Sequence, residues 1–163
     1  MKKMKLVMVG NGMAGVRTIE EILKISPDLY DITVFGAEPH ANYNRILLSP
    51  VLAGEMTLQD IMLNDVDWYK ENHITLHLNR KIVKIDRIAR KVIAADGHEE
   101  TYDRLLLATG SNPFVLPIPG KDLPGVCTYR DLEDTNAMIA ASGPGAKAVV
   151  IGGGLLEIGR AHV

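Results

Sequence analysis

The sequence predicts an α/β protein built on a parallel sheet, and three stretches of the chain support this class. Residues 5–15, KLVMVGNGMAG, join a short apolar strand to a glycine turn and the start of a helix. A second strand pattern, DITVF, follows at residues 31–35, and the run TYDRLLLAT at 101–109 is typical of a strand buried on both faces. Because parallel strands need a crossover connection, the alternation of strand, helix and strand predicts parallel pairing.

The other elements follow from periodicity and turn residues. Residues 14–25 carry apolar side chains at helical spacing, and Ser26-Pro27 ends this helix. Residues 39–55 show no clear period and are predicted to be irregular. We further predict short helices at 57–63 and 65–72, a strand within ITLHL at 74–78, strands at 82–86 and 91–95 in a small antiparallel meander, and a helix capped by Asp131 that runs to residue 141.

The first glycine turn matches G-x-G-x-x-G, the Rossmann dinucleotide-binding fingerprint. Gly10 permits the sharp turn out of the strand, Gly12 lets the backbone approach a pyrophosphate, and Gly15 lets the helix pack closely on the strand. The free N–H groups and the dipole of the helix N-terminus attract phosphate. Strand and helix patterns on either side of the turn support a dinucleotide site here.

Two further positions point to the same ligand. Glu38 follows the second strand at near the spacing of about 20 residues at which a carboxylate accepts the hydroxyls of an adenosine ribose. Such an acid repels a 2′-phosphate, which favours FAD or NAD over NADP. In isolation Glu38 would be interpreted as a solvated loop acid, but its place after a strand–helix–strand unit favours the ribose contact. Thr109 and Gly110 end a predicted parallel strand, where ligands of open α/β sheets bind, or they form an ordinary strand-to-loop connection.

Composition and single residues exclude other classes of function. The formal net charge of −2 gives no reason to expect nucleic acid or a membrane surface as a partner. Cys127 is the only cysteine, which favours a reducing, cytoplasmic location. His73 and His77 lie about 13 Å apart along a strand at ~3.3 Å per residue, so we expect no metal site there. Arg45 lies among apolar neighbours and could clamp a phosphate, cover a flavin or be a surface arginine.

The opening motif recurs. Residues 110–125 are rich in proline and are predicted to cross between domains, and AKAVVIGGGLL at 146–156 again reads as a strand followed by a glycine turn. With these two openings, the chain resembles the FAD- and NAD(P)-dependent reductases of the pyridine nucleotide–disulfide reductase class. Within that class it is similar to the N-terminal part of the large subunits of NAD(P)H-dependent nitrite reductases, in VMVGNGMAGVRTIEEI, DITVFGAEPHANYNRILLSPVLAGE, YDRLLLATGSNPF and YRDLEDTNAMI.

The resemblance implies a role for each candidate residue. The first glycine loop would hold FAD, and the second would open an NAD(P)H-binding domain. The positions implied are Gly10, Gly12, Met13, Ala14 and Gly15 at the FAD pyrophosphate, Glu38 at the ribose, the Ile82 backbone at adenine, Arg45 and Arg130 at the phosphates or flavin, Thr109 and Gly110 at the FAD phosphates, and Gly152 and Gly154 at NAD(P)H. We expect no acid–base pair or nucleophile, because hydride transfer to a flavin needs none.

The resemblance also implies where the electrons go. Members that reduce disulfides use a cysteine pair, which this chain lacks, and Pro50 follows Leu48-Ser49 where ferredoxin reductases carry lysine. In nitrite reductases the acceptor is an iron–sulfur and sirohaem centre further along the chain, which reduces nitrite to ammonia, and a small subunit is an implied partner. The alternatives are an NAD(P)H-dependent reductase of a rubredoxin or ferredoxin, and a module that binds a dinucleotide without turnover.

The resemblance divides the chain into four segments. These are the first, incomplete part of an FAD-binding domain at 1–113, a crossing linker and helix at 114–145, the first strand and glycine turn of an NAD(P)H-binding domain at 146–156, and a tail at 157–163. Glu157 stands where the family has a glycine, and EIGRAHV is also one reading frame of a common sequencing adapter. We therefore expect the tail to be non-native, and the second Rossmann domain to be truncated at its start.

Overall fold

A computed structural model describes residues 3–152 of the 163-residue chain. In chain order its strands and helices are β1 (Met4–Val9), α1 (Met13–Ile25), β2 (Tyr30–Phe35), β3 (Asn42–Tyr43), α2 (Leu48–Leu52), β4 (Met62–Asn64), α3 (Val66–Glu71), β5 (Thr75–His77), β6 (Ile82–Asp86), β7 (Lys91–Ala94), β8 (Glu99–Thr101), β9 (Arg104–Leu107) and α4 (Leu132–Ala141). The contacts among these residues form two compact units. The first comprises residues 3–43 and Met62–Gly110, and the second comprises Asn44–Ile61 and residues 111–152.

The first unit is built on a four-stranded parallel sheet in the order β5-β2-β1-β9, as the α/β prediction requires. The register aligns the strand ends, because Val9 lies opposite both Phe35 and Leu107, and Phe35 lies opposite His77. The residues that follow these strands therefore emerge at one edge of the sheet. Parallel sheets bind ligands at this edge.

Side chains of β1 alternate between two hydrophobic clusters, so β1 is buried on both faces. Leu6 and Met8 face α1, whose residues at helical spacing are buried against them. The first cluster comprises Leu6, Met8, Val16, Ile19, Ile32, Val34, Ala41, Tyr69 and Ile74. The second joins Val7, Val9 and Phe35 to Val92 of the predicted antiparallel meander, which the structure forms from β6, β7 and β8.

The strand predicted at 101–109 is two strands with a turn between them. β8 completes the meander, and β9 joins the parallel sheet after Asp103, whose N–H donates to the Lys5 carbonyl at 2.9 Å. The expected burial on both faces is wrong, since Leu107 is 57% exposed. Within the described residues β9 is the edge strand of its sheet, so the apolar run is not enclosed on both sides.

Two other segments differ from their predictions. Residues 57–63 form a single 3-10 turn at Gln59–Ile61 followed by β4, although the Thr57 N–H still donates to the Asp60 carboxylate at 2.7 Å, as a capping contact does. The segment predicted to be irregular, 39–55, contains β3 and α2. Proline is tolerated at Pro50 because it lies in the first turn of α2, where an N–H has no acceptor within the helix.

The second unit contains α2 and α4, which contact each other and bury Leu48, Leu132 and Thr135. Asp131 caps α4 as predicted, accepting a hydrogen bond from the Asp134 N–H at 3.0 Å. Residues 146–152 form no strand and are exposed, because a strand needs a hydrogen-bonded neighbour. Residues 44–61 group with this unit and not with the rest of the predicted 1–113 segment. No described helix is long and apolar enough to cross a membrane.

Candidate dinucleotide-binding site

The candidate site lies at the edge of the sheet where β1, β2, β5 and β9 end. The Gly10 N–H donates to the Phe35 carbonyl at 2.9 Å, and the Ala108 N–H donates to the Val9 carbonyl at the same distance. The Gly36 N–H donates to the His77 carbonyl at 2.8 Å. These bonds extend the sheet by one residue and fix the loops that carry the predicted site residues.

Two of the three motif glycines are required by the packing of the protein itself. Gly10 has a φ of +103°, and a Cβ there would lie 2.2 Å from the Ala108 carbonyl oxygen. A Cβ at Gly15 would lie 2.7 Å from the Met8 sulfur and 2.8 Å from the Ala108 Cβ. Gly15 therefore does what the motif predicts, while Gly10 is needed both for its turn and for its close approach to the loop after β9.

Gly12 is different, because a Cβ there would meet nothing within 4 Å. Its φ of −94° and ψ of 174° are open to any residue, and it is the N-cap of α1 without a side-chain cap. The N–H groups of the first helical turn, at Met13 and Ala14, have no acceptor within the helix. α1 has no acidic residue in its first turn. The open space and positive helix end fit an anionic phosphate group.

Glu38 is held in the loop after β2. Its carboxylate accepts a hydrogen bond from the Tyr43 hydroxyl at 2.7 Å, and its carbonyl accepts one from the Asn79 N–H at 2.9 Å. The side chain is half-buried. The acid is therefore oriented by a tyrosine from β3, which is more than a freely solvated loop residue requires.

The structure brings Thr109 against the glycine turn, since the Cβ position of Gly10 is 3.0 Å from the Thr109 Cα. Gly110 follows with a φ of +73°, and both residues are exposed. Ile82 begins β6 opposite Ala94, with a register irregularity after it. Thus Gly10, Gly12, Met13, Ala14, Gly15, Glu38, Ile82, Thr109 and Gly110 all belong to the first unit.

The remaining predicted residues belong to the second unit or lie beyond the described chain. Arg45 Nη1 donates to the Arg130 carbonyl at 3.2 Å, so these two arginines are brought together. Gly152 is exposed with a φ of +146°. Gly154 and the predicted tail at 157–163 lie outside the described residues.

Sequence reasoning missed two residues beside the glycine turn, Ala108 and Asn11. Ala108 contacts the positions of both Gly10 and Gly15, and Asn11 accepts a hydrogen bond from the Tyr69 hydroxyl at 2.7 Å. Tyr69 is fully buried. Burial also raises the pKa of Tyr69 to about 12, which keeps its hydroxyl protonated as a donor. The sequence signal that could have indicated Asn11 is its position between two glycines of the motif, Gly10 and Gly12.

His77 ends β5 beside this edge. Its ring stacks on Phe35 with centroids 4.7 Å apart and lies 5.1 Å from the His98 ring, and its Nδ1 is 2.9 Å from Arg80 Nη1. Burial, followed by the charge of Arg80 and by His98, lowers the pKa of His77. Among residues 3–152, no group of three or more metal-binding side chains could hold an ion.

This lowered pKa predicts a loss of stability in acid. As the pH falls below the ordinary histidine value of about 6.5, the unfolded chain takes up the proton before the folded one does, and the free energy of unfolding decreases until the folded pKa is passed. Well above pH 6.5, His77 is neutral in both the folded and the unfolded chain, so its contribution to the free energy of unfolding does not change with pH. Urea unfolding between about pH 5 and 8 should show this slope, and His77→Gln should reduce it. An unchanged slope in the variant would contradict the assignment.

Residues 4–158 match the pyridine nucleotide-disulphide oxidoreductase family. The chain belongs to this family. Family membership supports dinucleotide binding and confirms the resemblance seen in the sequence. The match covers both glycine turns, including the one that extends beyond the described residues.

Individual members of the pyridine nucleotide-disulphide oxidoreductase family are similar over nearly the whole chain. Nitrite reductase (NAD(P)H) of Bacillus subtilis (strain 168) is 56% identical over 162 residues, which are 99% of this chain and 20% of that relative. The assimilatory nitrate reductase electron transfer subunit of the same organism is 49% identical, over 97% of this chain and 20% of that relative. The chain thus spans about a fifth of these curated relatives.

A solved structure agrees with this family assignment. The crystal structure of NADH:rubredoxin oxidoreductase from Clostridium acetobutylicum superposes with a TM-score of 0.87 at 26% identity, covering 99% of this chain and 41% of that one. The likeness confirms the Rossmann-like fold predicted from the sequence.

Proposed function

We propose that this chain is the FAD-binding part of a longer NAD(P)H-dependent oxidoreductase of the nitrite reductase large-subunit type. One observation carries the proposal: Gly12 leaves open space at the N-terminus of α1, while Gly10 and Gly15 are fixed by the protein's own packing. In a Rossmann-like fold, open space beside the free N–H groups at a helix N-terminus fits the pyrophosphate of a dinucleotide.

The residues of the chain would bind and orient this cofactor. Gly12, Met13 and Ala14 would offer backbone N–H groups to the pyrophosphate, and Glu38, oriented by Tyr43, would accept the ribose hydroxyls. Thr109 would border the phosphates. FAD, when bound, supplies the redox chemistry by taking hydride from NAD(P)H and passing single electrons onward. The Ile82 backbone would face adenine, and Gly152 and Gly154 would belong to the NAD(P)H loop.

The final electron acceptor is proposed from the proteins to which this chain is similar. The nitrite reductase of Bacillus subtilis is 56% identical, which favours nitrite as the substrate of the whole protein. An iron–sulfur and sirohaem centre would then lie in a part of the protein outside this chain, since the one cysteine here, Cys127, cannot supply the four thiolates of an iron–sulfur cluster. We further propose a small nitrite reductase subunit as partner and the cytoplasm as location.

A second candidate is an NAD(P)H-dependent reductase of a small iron–sulfur protein. The fold likeness to NADH:rubredoxin oxidoreductase favours it, as does 38% identity to the ferredoxin–NAD(+) reductase component of a biphenyl dioxygenase system from Paraburkholderia xenovorans (strain LB400). Pro50, in place of the lysine that ferredoxin reductases carry, favours the nitrite reductase type.

The deciding experiment uses the full-length protein. We expect a yellow preparation whose flavin is bleached by NADH and reoxidised on adding nitrite, with ammonia as product. Reoxidation by rubredoxin or ferredoxin but not by nitrite would favour the second candidate. A colourless protein that binds NAD tightly would contradict both and favour a module without turnover.

Replacing Glu38 tests the ribose contact separately. Glu38→Gln should weaken FAD binding about tenfold or more, because hydrogen bonds to a charged acceptor contribute about 1.5–3 kcal/mol each. Glu21→Gln, an exposed acid on α1 that pairs with Lys24, is the matched control and should bind FAD as the wild type does. Equal affinities in both variants, measured by flavin fluorescence, would refute the role of Glu38.

A further inference from the structure

Two neighbouring groups of hydrogen-bonded polar side chains lie between the glycine loop and the core. Asn11 accepts a hydrogen bond from the Tyr69 hydroxyl at 2.7 Å, and the Asn42 backbone lies beside this hydroxyl. Asn42 Nδ2 donates to Asn64 Oδ1 at 2.8 Å, and Asn64 Nδ2 donates to Glu20 Oε1 at 3.1 Å. All five residues belong to the first unit.

Packing alone does not account for these polar groups. Tyr69 is fully buried, and Asn42 and Asn64 are 2% and 6% exposed. Asn11 Nδ2 and Asn42 Oδ1 are buried with no hydrogen-bond partner among the described residues. Buried polar groups that lack partners destabilise a fold, and phenylalanine and alanine would fill the same space without them. The Asn11–Tyr69 pair therefore points to a role besides stability.

Asn11 is confined on two sides. The Cβ position of Gly36, just after β2, is 3.1 Å from the Asn11 Cβ, and the Tyr69 hydroxyl binds the amide from α3. Asn11 is also flanked in sequence by Gly10 and Gly12, whose backbones are the most permissive in the loop. The side chain thus anchors the flexible part of the loop to β2 and α3.

A direct hydrogen bond from the Asn11 Nδ2 to a ligand is excluded by the burial of that atom. Less than 1 Å² of Asn11 Nδ2 is accessible, so a phosphate oxygen cannot come within hydrogen-bonding distance of it unless the loop moves. The effect of the Asn11 side-chain amide on binding therefore passes through the backbone that it holds.

We propose that Asn11, anchored by Tyr69, is a positioning residue that sets the backbone N–H groups at Gly12, Met13 and Ala14 for an adenine dinucleotide. This inference rests on the proposed FAD site. Donors fixed in place before binding lose less conformational entropy when the ligand arrives, which raises affinity without any added contact. Tyr69 supplies the fixed end because it belongs to the same buried hydrophobic cluster as Ile74 and the α1 residues Val16 and Ile19.

The test compares FAD affinity with stability in the full-length protein. Tyr69→Phe and Asn11→Ala should each weaken FAD binding to the apoprotein about tenfold, the effect of about 1.4 kcal/mol, and the double variant should lose no more than either alone. Asn11→Ala gives an answer even if Tyr69→Phe fails to fold. Flavin fluorescence gives the affinity, and urea unfolding of the apoprotein gives the stability.

The controls separate positioning from a disturbed core. Asn64→Ala removes buried hydrogen bonds of the neighbouring Asn42–Asn64–Glu20 group, away from the glycine loop, and should lower stability while leaving FAD affinity unchanged. A loss of affinity there as large as in Asn11→Ala, or additive losses in the double variant, would overturn the proposal. Wild-type affinity in both single variants, with FAD lost in Gly12→Val, would overturn the positioning role alone. FAD retained in Gly12→Val would instead refute the proposed site.

Discussion

Gly12→Val is expected to abolish FAD retention while leaving the apoprotein folded. The backbone at Gly12 has a φ of −94°, which valine adopts readily, and a Cβ there touches nothing within 4 Å. The free energy of unfolding of the apoprotein should therefore fall by only about 1 kcal/mol, the cost of replacing glycine by valine at the N-cap of α1. The added side chain fills the space through which a pyrophosphate reaches the N-terminus of α1, so affinity should fall about a hundredfold or more, equivalent to roughly 2.7 kcal/mol.

Gly143→Val is the matched control for this variant. Gly143 also has open space around its Cβ position and an ordinary φ, but it lies in the loop after α4. It should retain flavin at the wild-type ratio, measured from the flavin and protein absorbance of the full-length protein. Wild-type flavin content in Gly12→Val would place the dinucleotide elsewhere.

Much of the first unit is predictable because its signals are local. The β1 strand, the glycine turn and the α1 helix are encoded within one short stretch, and the caps at Asp65 and Asp131 each accept the N–H three residues ahead. The meander follows from strand patterns and from the turn at Gly97. Such elements need only residues a few positions apart, so a single sequence carries their pattern.

The features that sequence reasoning missed depend on contacts between distant residues. The strand predicted at 101–109 divides where Asp103 binds the backbone of Lys5, 98 residues away. Tyr69 reaches Asn11 across 58 residues. No local sequence pattern around Asp103 or Tyr69 indicates these distant partners. The helix predicted at 57–63 had the correct Thr57–Asp60 contact, but the chain enters β4 at Met62 because Tyr43 of β3 pairs there.

Within the six residues of the glycine motif, some properties likewise follow from the local sequence and others depend on contacts with distant residues. Its spacing predicts a turn, a phosphate approach and a tight helix packing, but it does not say which glycine is needed for folding and which for binding. The structure separates them: the close contacts of Gly10 and Gly15 are with Ala108 and Met8, whereas Gly12 faces open space. Substitutions within one motif should therefore fail for different physical reasons.

Gly10→Ala is expected to fail in folding. Its φ of +103° disfavours any L-residue by about 1–3 kcal/mol, and its new Cβ would lie 2.2 Å from the Ala108 carbonyl oxygen, a backbone atom that cannot move without disturbing the pairing of β9 with β1. We expect a loss of about 3 kcal/mol or more in the free energy of unfolding of the apoprotein, measured by urea titration. Gly97→Ala isolates the backbone effect, because Gly97 has a φ of +85° but nothing within 4 Å of its Cβ position. If Gly10→Ala were no less stable than Gly97→Ala, the contact with Ala108 would contribute nothing, and Gly10 would be needed for its turn alone.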